Sequence, residues 1–344
     1  MSDNPFVPAN QIKAPAAANV TATTTMQLQK TGTYSRGRFV VRGAEVASSK
    51  MGPYLKLTLA DRFGEVTATC WKGANLQSQL VTGSVVEIAK LQVDDWGPKF
   101  EVADLRVLAP GEFRPEDFVK SLPAEQVNAY WEEFHGFLDS IRSVDLQALR
   151  KKIWGDPNLA ERYKWHTSAL GQHHNYMGGN LQHVVGIMRV VEAVCAGYSE
   201  LDRDLVIFGA AVHDLGKLRE YDVSTTITVT DEGRLKGHLV IGAEWISRLA
   251  AELRAEGHAF SPRLEEDLTH MILSHHGRGE WGSPKPPATP EAMLLHLADM
   301  ADSQTKKFLQ EVENNAGNAE GWVRKFDPDI RETRWIRTRR DDAA

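Results

Sequence analysis

Cysteine is nearly absent from this chain. Cys70 and Cys195 are its only two, far apart in sequence. That excludes a disulfide framework and a thiolate-rich zinc cluster, and fits a reducing cytoplasm. Long apolar runs are missing too. None reaches the roughly 18 residues needed to cross a bilayer, so no membrane partner is expected. The first 30 residues are rich in Ala, Thr, Pro and Asn and hold no apolar segment behind a basic start. No secretory leader is expected, and residues 1–33 read as a disordered or extended arm. Positive charge is also in deficit, with 40 Lys and Arg against 46 Asp and Glu and a net charge of −6. That argues against a binder driven by bulk charge. The deficit is uneven: the chain is +3 through Pro110 and −9 beyond it. An acidic half of that kind is suited to holding metal cations. No internal repeat is seen.

At 344 residues the chain is long for one core and reads as two domains. From Arg36 to Leu108 five runs alternate apolar and polar residues: "GRFVVRGAEVA", "PYLKLTLADR", "EVTATCW", "SVVEIAKLQVD" and "PKFEVADLRVL". Turns are signalled by Asp61 with Gly64, and by Gly97 with Pro98. Five short strands in so little chain predict a five-stranded OB-fold barrel over 34–110. A Pro/Gly-containing linker and helical connector follow over 111–160. The spacing is then helical, over 180–196, 201–212, 238–256, 262–276 and 289–313. The exception is "YDVSTTITVTDEGRLKGH", where β-branched alternation predicts a hairpin turning at Asp231–Gly233. An all-helical domain carrying that insertion is expected over 161–315. A C-terminal extension follows over 316–344, and its end, "RWIRTRRDDAA", reads as a frayed tail. The fold class is therefore multidomain α and β, an OB barrel followed by helices.

The helical half repeats one anomaly. His183 lies in "NLQHVVGIMRVVEAV", His213 and Asp214 close the apolar helix ending "AAVHD", and His238 follows in "KGHLVIG". His275 and His276 end "LTHMILSHHG", and Asp299 lies in "LLHLADMADS". Each sits on or at the end of an apolar helix, where a polar group without a partner is costly. A shared divalent cation would satisfy them together, and imidazole with carboxylate suits Mn²⁺, Fe²⁺, Co²⁺, Ni²⁺ or Zn²⁺.

The order His … His-Asp … Asp, with "HDLGK", resembles the HD superfamily of metal-dependent phosphohydrolases. The resemblance implies that His183, His213, Asp214 and Asp299 are core ligands, that His238 and His275 serve a second ion, and that Asp214 bridges the two. "HHNYMGGNLQHVV", "EGRLKGHLVIGAEWI" and "MILSHHGRGEWGSPKPPATPEAMLLHLADMADS" tighten it to the YhaM-type 3′–5′ exoribonucleases, which place an OB-fold before the HD domain. It covers about Arg36 to Gln310. It implies a pair of divalent ions, Mn²⁺ first among them, and a single strand of RNA, or of DNA, as partner.

Two ions about 3.5–4 Å apart suit phosphodiester hydrolysis, and the resemblance supplies the 3′ to 5′ polarity. Lys217, four residues beyond His213, is placed to reach a phosphate. His276 is left as either a proton donor to the leaving oxygen or a ligand of the second ion, and Asp302 as a carboxylate orienting a ligand. His174, beside His173 in the glycine-bearing loop, and Trp281 are candidate walls of a substrate cleft. On the barrel, Tyr54, Lys56 and Trp96 are candidate strand contacts, with Lys72 and Lys99 near them, while Trp71 is expected to be packed. Two other readings stay open: a hydrolase of small or cyclic dinucleotides with a regulatory barrel, and a binder with a relict metal site. Self-association of the helical domain is also expected.

Overall fold

In the computed structural model, which describes residues 23–109, 111–113, 117–168, 176–318, 320–327 and 332–338, the alternating runs of the first third become a closed sheet. β1 (Gly32–Ser49), β2 (Gly52–Asp61) and β3 (Gly64–Trp71) form an antiparallel meander. β4 (Val85–Asp94) pairs back onto β1, and β5 (Gly97–Glu101) lies between β3 and β4, parallel to β3. The circuit β1-β2-β3-β5-β4-β1 is the OB arrangement. The fifth predicted run does not stay whole. A 3₁₀ turn at Val102–Asp104 breaks its alternation, and Leu105–Val107 becomes β6, edging β4. The sheet therefore has six strands, five in the closed circuit and β6 at its edge.

Alternation decides the barrel's inside. Leu55, Leu57 and Leu59 are buried with Phe39, Val41, Ile88 and Phe100, while Lys56 between them is exposed. Each such side chain contributes about 1.5–3 kcal/mol on leaving water. Both predicted turns form. The Asp61 carboxylate accepts from the backbone of Phe63 and Gly64, and that of Asp94 from Trp96. Residues 23–33, read from the sequence as arm, are seated on the barrel. Thr23 bridges to Gly37, Thr25 donates twice to Asp61 at 2.7 and 2.6 Å, and Leu28 enters the core. A lone leucine between Gln27 and Gln29 carries no periodicity to announce this. The rest of that arm, residues 1–22, lies outside the described residues.

Contacts divide the chain into two units, residues 1–124 with 221–229, and 125–220 with 230–344. The predicted insertion is a hairpin, β7 (Tyr221–Val223) and β8 (Ile227–Val229). Its turn is at Ser224–Thr226, not at Asp231–Gly233, because the Thr230 hydroxyl accepts from Gly233 N–H and caps the next helix instead. By its contacts the hairpin belongs to the first unit, where Thr225 donates to the Gly83 carbonyl.

The second unit is built from α1 (Ala124–Asp139), α2 (Val144–Trp154), α3 (Pro157–Trp165), α4 (Gly179–Cys195), α5 (Arg203–Val212), α6 (Lys217–Glu220), α7 (Asp231–Ala255), α8 (Pro262–Ser274) and α9 (Pro290–Asn314). Ser143, Asp156, Asp202, Thr230, Ser261 and Thr289 cap their helices, and Pro157, Pro262 and Pro290 open theirs. Phe134, Trp154, Tyr163 and Phe208 stack edge-to-face or tilted, and Tyr163 donates to Ala211 O at 2.6 Å. This locks the end of α5 in place. β9 (Trp322–Asp327) pairs with β10 (Glu332–Arg337), so the beginning of the stretch expected to fray, Arg334–Arg337, is instead held in a strand. Alternation there turns Ile336 inward and Trp335 outward, so the unit is not all-helical. No helix among the described residues is long and apolar enough to cross a membrane.

Candidate metal centre

Five helices deliver their polar residues to one place, each through a local device. His183 faces inward on α4, which starts at Gly178 in the left-handed region (φ 82°). α5 ends at His213, and Asp214 follows in the turn to α6. Gly216 makes that turn possible: a Cβ there would lie 2.1 Å from His238 O and 2.8 Å from Gly242 N. α7 is broken at Gly237 (φ 71°), and His238 follows the break directly. α8 ends at His275 and His276, released by Gly277 at φ 83°. α9 carries Asp299 and Asp302 one turn apart on one face, and Gly186 on α4 leaves room for the Asp302 carboxylate.

Asp214 lies at the centre, buried, with its two oxygens facing different partners. Oδ2 is 3.2 Å from His213 Nε2 and 3.8 Å from His183 Nε2. Oδ1 is 3.6 Å from His238 Nε2 and 3.8 Å from His275 Nε2. Asp299 Oδ1 is 3.2 Å from His183 Nε2. Ligand atoms of His183, His213 and Asp299 lie within 4.8 Å of one another, as do those of His238, His275 and His276. A third such set, His213, Asp214 and His275, joins the two.

The other ring nitrogens set the tautomers. His213 Nδ1 donates to Ala210 O, His275 Nδ1 to Ile272 O and His276 Nδ1 to Trp281 O, each at 2.8 Å. A carbonyl can only accept, so these Nδ1 atoms carry the proton and Nε2 keeps its lone pair. His183 Nδ1 donates to Asp302 Oδ2 at 2.7 Å, and His238 Nδ1 lies 2.8 Å from Glu220 Oε2. Such outer carboxylates orient metal-ligating histidines.

The donor set fits divalent ions. His213 Nε2, His238 Nε2 and Asp214 Oδ1 are buried with no hydrogen-bond partner among the described residues, an expensive arrangement that ligation relieves. Burial favours protonation of Asp214, yet Lys217 and His213 hold its carboxyl well below the usual range. His183 likewise overrides burial to keep Asp299 below it. Burial and neighbouring imidazoles push His275 and His276 down, so they are neutral donors. His183 is the exception. Burial opposes its charge, but Asp299 and Asp302 outweigh it and raise the ring to about 10.

Lys217 Nζ sits 2.7 Å from Asp214 Oδ2, so its partner here is the central carboxylate. His276 lies with His238 and His275 in the second imidazole cluster, and Asp302, one turn from Asp299, meets His183 Nδ1. Trp281 packs under the Arg278 guanidinium at 4.8 Å. His174 and His173 lie outside the described residues. Sequence reasoning missed Glu220, whose tie to His238 runs through the break at Gly237. It also missed His296, whose Nδ1 donates to His275 O at 2.7 Å. On the barrel, Lys56 is exposed, Trp96 is 95% exposed, and half-buried Tyr54 leans on Trp71 with ring centres 5.0 Å apart. A cavity of about 350 Å³ beside Trp71 sets Lys90 and Lys99 among Glu101 and Asp104.

Residues 180–303 match the HD domain family, a span that takes in His183 through Asp302. The chain is 34% identical over 262 residues to the 3′–5′ exoribonuclease YhaM of Shouchella clausii, covering 75% of this chain and 79% of that protein. It is 31% identical over 271 residues to the Halalkalibacterium halodurans YhaM, covering 77% and 82%. With the Listeria innocua YhaM it shares 32% over 260 residues, covering 73% and 79%. This chain belongs to the YhaM family. The likeness to the YhaM proteins runs over far more residues than the HD match, so the HD domain alone does not account for it.

Proposed function

We infer that the protein is a metal-dependent 3′–5′ exoribonuclease acting on single-stranded RNA and releasing nucleoside 5′-monophosphates. The observation that carries this is the pair of donor clusters placed either side of Asp214. In this reading His183, His213, Asp214 and Asp299 hold one divalent ion, and Asp214, His238, His275 and His276 hold a second, with Mn²⁺ the first choice for both. A bound pair supplies a water acidic enough to ionise near neutral pH and neutralises charge growing on the phosphoryl oxygens. The chain's residues do the rest. Asp214 spans both clusters with one carboxylate, so the reacting centre is fixed by a single buried side chain. Lys217 keeps Asp214 ionised and adds positive charge where a phosphate arrives. Asp302 and Glu220 hold their imidazoles in register. Water oxygen joins phosphorus, the bond from phosphorus to the 3′ oxygen breaks, and that oxygen leaves protonated. Tyr54, Lys56 and Trp96 on the barrel hold the strand by stacking and charge, raising its local concentration.

The test uses 5′-labelled single-stranded RNA, duplex RNA and free nucleotides with Mn²⁺. Stepwise shortening of the single strand, abolished by Asp214→Ala with strand binding retained, is expected. Turnover of free nucleotides alone would overturn the assignment.

A further inference from the structure

The outer face of the β9–β10 ribbon is built like a stacking surface. Cross-strand register pairs Trp322 with Arg337, Arg324 with Trp335 and Phe326 with Thr333. These six residues lie on one face because side chains alternate along a strand. All six are exposed, with Trp322 at 46%, Phe326 at 59% and Trp335 at 64%. The opposite face is the anchoring one. Ile336 is buried, Arg334 lies over the Phe308 ring at 5.6 Å, Lys325 pairs with Glu311, and Asp327 pairs with Lys307 at 2.8 Å. The ribbon is thus fastened to α9 by aliphatic and ionic contacts, while its aromatics are turned away. A face that needed only to be hidden would carry its aliphatics outward. This one keeps Val323 and Ile336 on the inner face. It also carries two arginines and no acid, in a half of the chain that is otherwise acidic. Aromatic rings alternating with guanidinium groups take nucleobases between the rings and phosphates on the arginines. A groove of about 1080 Å³ continues from Trp322 and Trp335 over Leu309 and Val312 of α9. The same helix carries Asp299, nine residues before Phe308 and so about 14 Å away along the axis.

We propose that this ribbon is a second binding surface for single-stranded RNA, holding the strand beyond the nucleotides at the metal centre. It rests on the reading of the protein as an RNA hydrolase. The test is the affinity of the full chain for a 20-nucleotide single strand, measured by anisotropy in chelator so that nothing turns over. Removing a stacking ring weakens single-strand binding by about 5- to 160-fold. Trp322→Ala with Trp335→Ala is therefore expected to raise Kd by at least tenfold at unchanged Tm, the rings being exposed. Arg324→Gln with Arg337→Gln is expected to lower the slope of log K against log salt by about 1.4, at about 0.7 per phosphate contact. With Mn²⁺, the tryptophan pair should raise KM for the long strand and leave hydrolysis of a dinucleotide, too short to span the distance, unaltered. Unchanged affinity and salt slope overturn the proposal. So does unchanged affinity with loss of self-association in light scattering, which would give the face to a second copy. A wild-type protein that binds RNA at the ribbon and hydrolyses none would refute the hydrolase reading while the ribbon stands.

Discussion

Glu220 and Asp302 are outer carboxylates, one for each side of the centre, and replacing them separately should uncouple the two ions. Asp302 accepts from His183 Nδ1 at 2.7 Å, and Glu220 lies 2.8 Å from His238 Nδ1. His183 faces the Oδ2 side of Asp214 and His238 the Oδ1 side. Partners of this kind are worth about 10- to 100-fold in metal affinity, or about 1.4 to 2.7 kcal/mol at 1.36 kcal/mol per decade. Glu220→Gln keeps an acceptor oxygen and the volume but loses the charge, so the effect belongs at the lower end, about tenfold. Glu220→Ala removes the acceptor too and belongs near a hundredfold. Asp302→Asn and Asp302→Ala should repeat that order at the other ion. Titration calorimetry of the chelator-stripped protein with Mn²⁺ should resolve two events in the wild type. Glu220 variants should weaken one of them and Asp302 variants the other. If both sets weaken the same event, or neither shifts either, the assignment of one carboxylate to each ion is wrong.

Other outcomes follow from the same geometry. His183, raised to about 10 by Asp299 and Asp302, stabilises the metal-free fold fully below its unfolded value of 6.5, and that contribution is lost as pH rises to about 10. Urea melts of wild type and His183→Asn in chelator should therefore converge between those pH values, and a gap that widens with pH would contradict the ionised ring. The same proton must leave when an ion binds. Calorimetry in buffers of different ionisation heat should show proton release on metal binding, and heats independent of the buffer would rule it out. Gly216→Ala forces a Cβ against the backbone of His238 and Gly242 and should cost about 1–3 kcal/mol, read as a lower denaturant midpoint with weakened metal binding. An unchanged midpoint would mean that the turn has room. Leu28→Ala should destabilise the barrel by about 2–5 kcal/mol, whereas a neutral result would return residues 23–33 to the status of a loose arm.

Strand and helix periodicity were legible because burial on one face imposes them. The leucines of β2 and the apolar stripes of α4 and α5 declare their elements without help from the rest of the chain. The "DRFG" and "DDWG" turns were legible for a similar reason, since an Asp that accepts from the next backbone amides needs only its neighbours. The histidines and acids of the centre stood out because a polar residue on an apolar helix requires a partner, although nothing in their spacing said which atoms face each other. The failures are equally physical. The turn of the hairpin was misplaced because Asp231–Gly233 is equally good as the first turn of a capped helix, and only Thr230 decided between them. The end of β10 was read as tail because a short run mixing Arg, Trp and Ile shows no face until α9 supplies something to pack on.

By itself, then, the order of residues determined two domains of different periodicity and a set of imidazoles and carboxylates that had to share something. Tertiary structure alone decided that Asp214 points one oxygen to each cluster, that Glu220 reaches His238 across the break at Gly237, and that Trp322, Phe326 and Trp335 stand on one exposed face. Local pattern reports which side of an element is buried. Which atoms meet across elements depends on helix ends, glycine-permitted approaches and cross-strand register, and these exist only once the chain has packed.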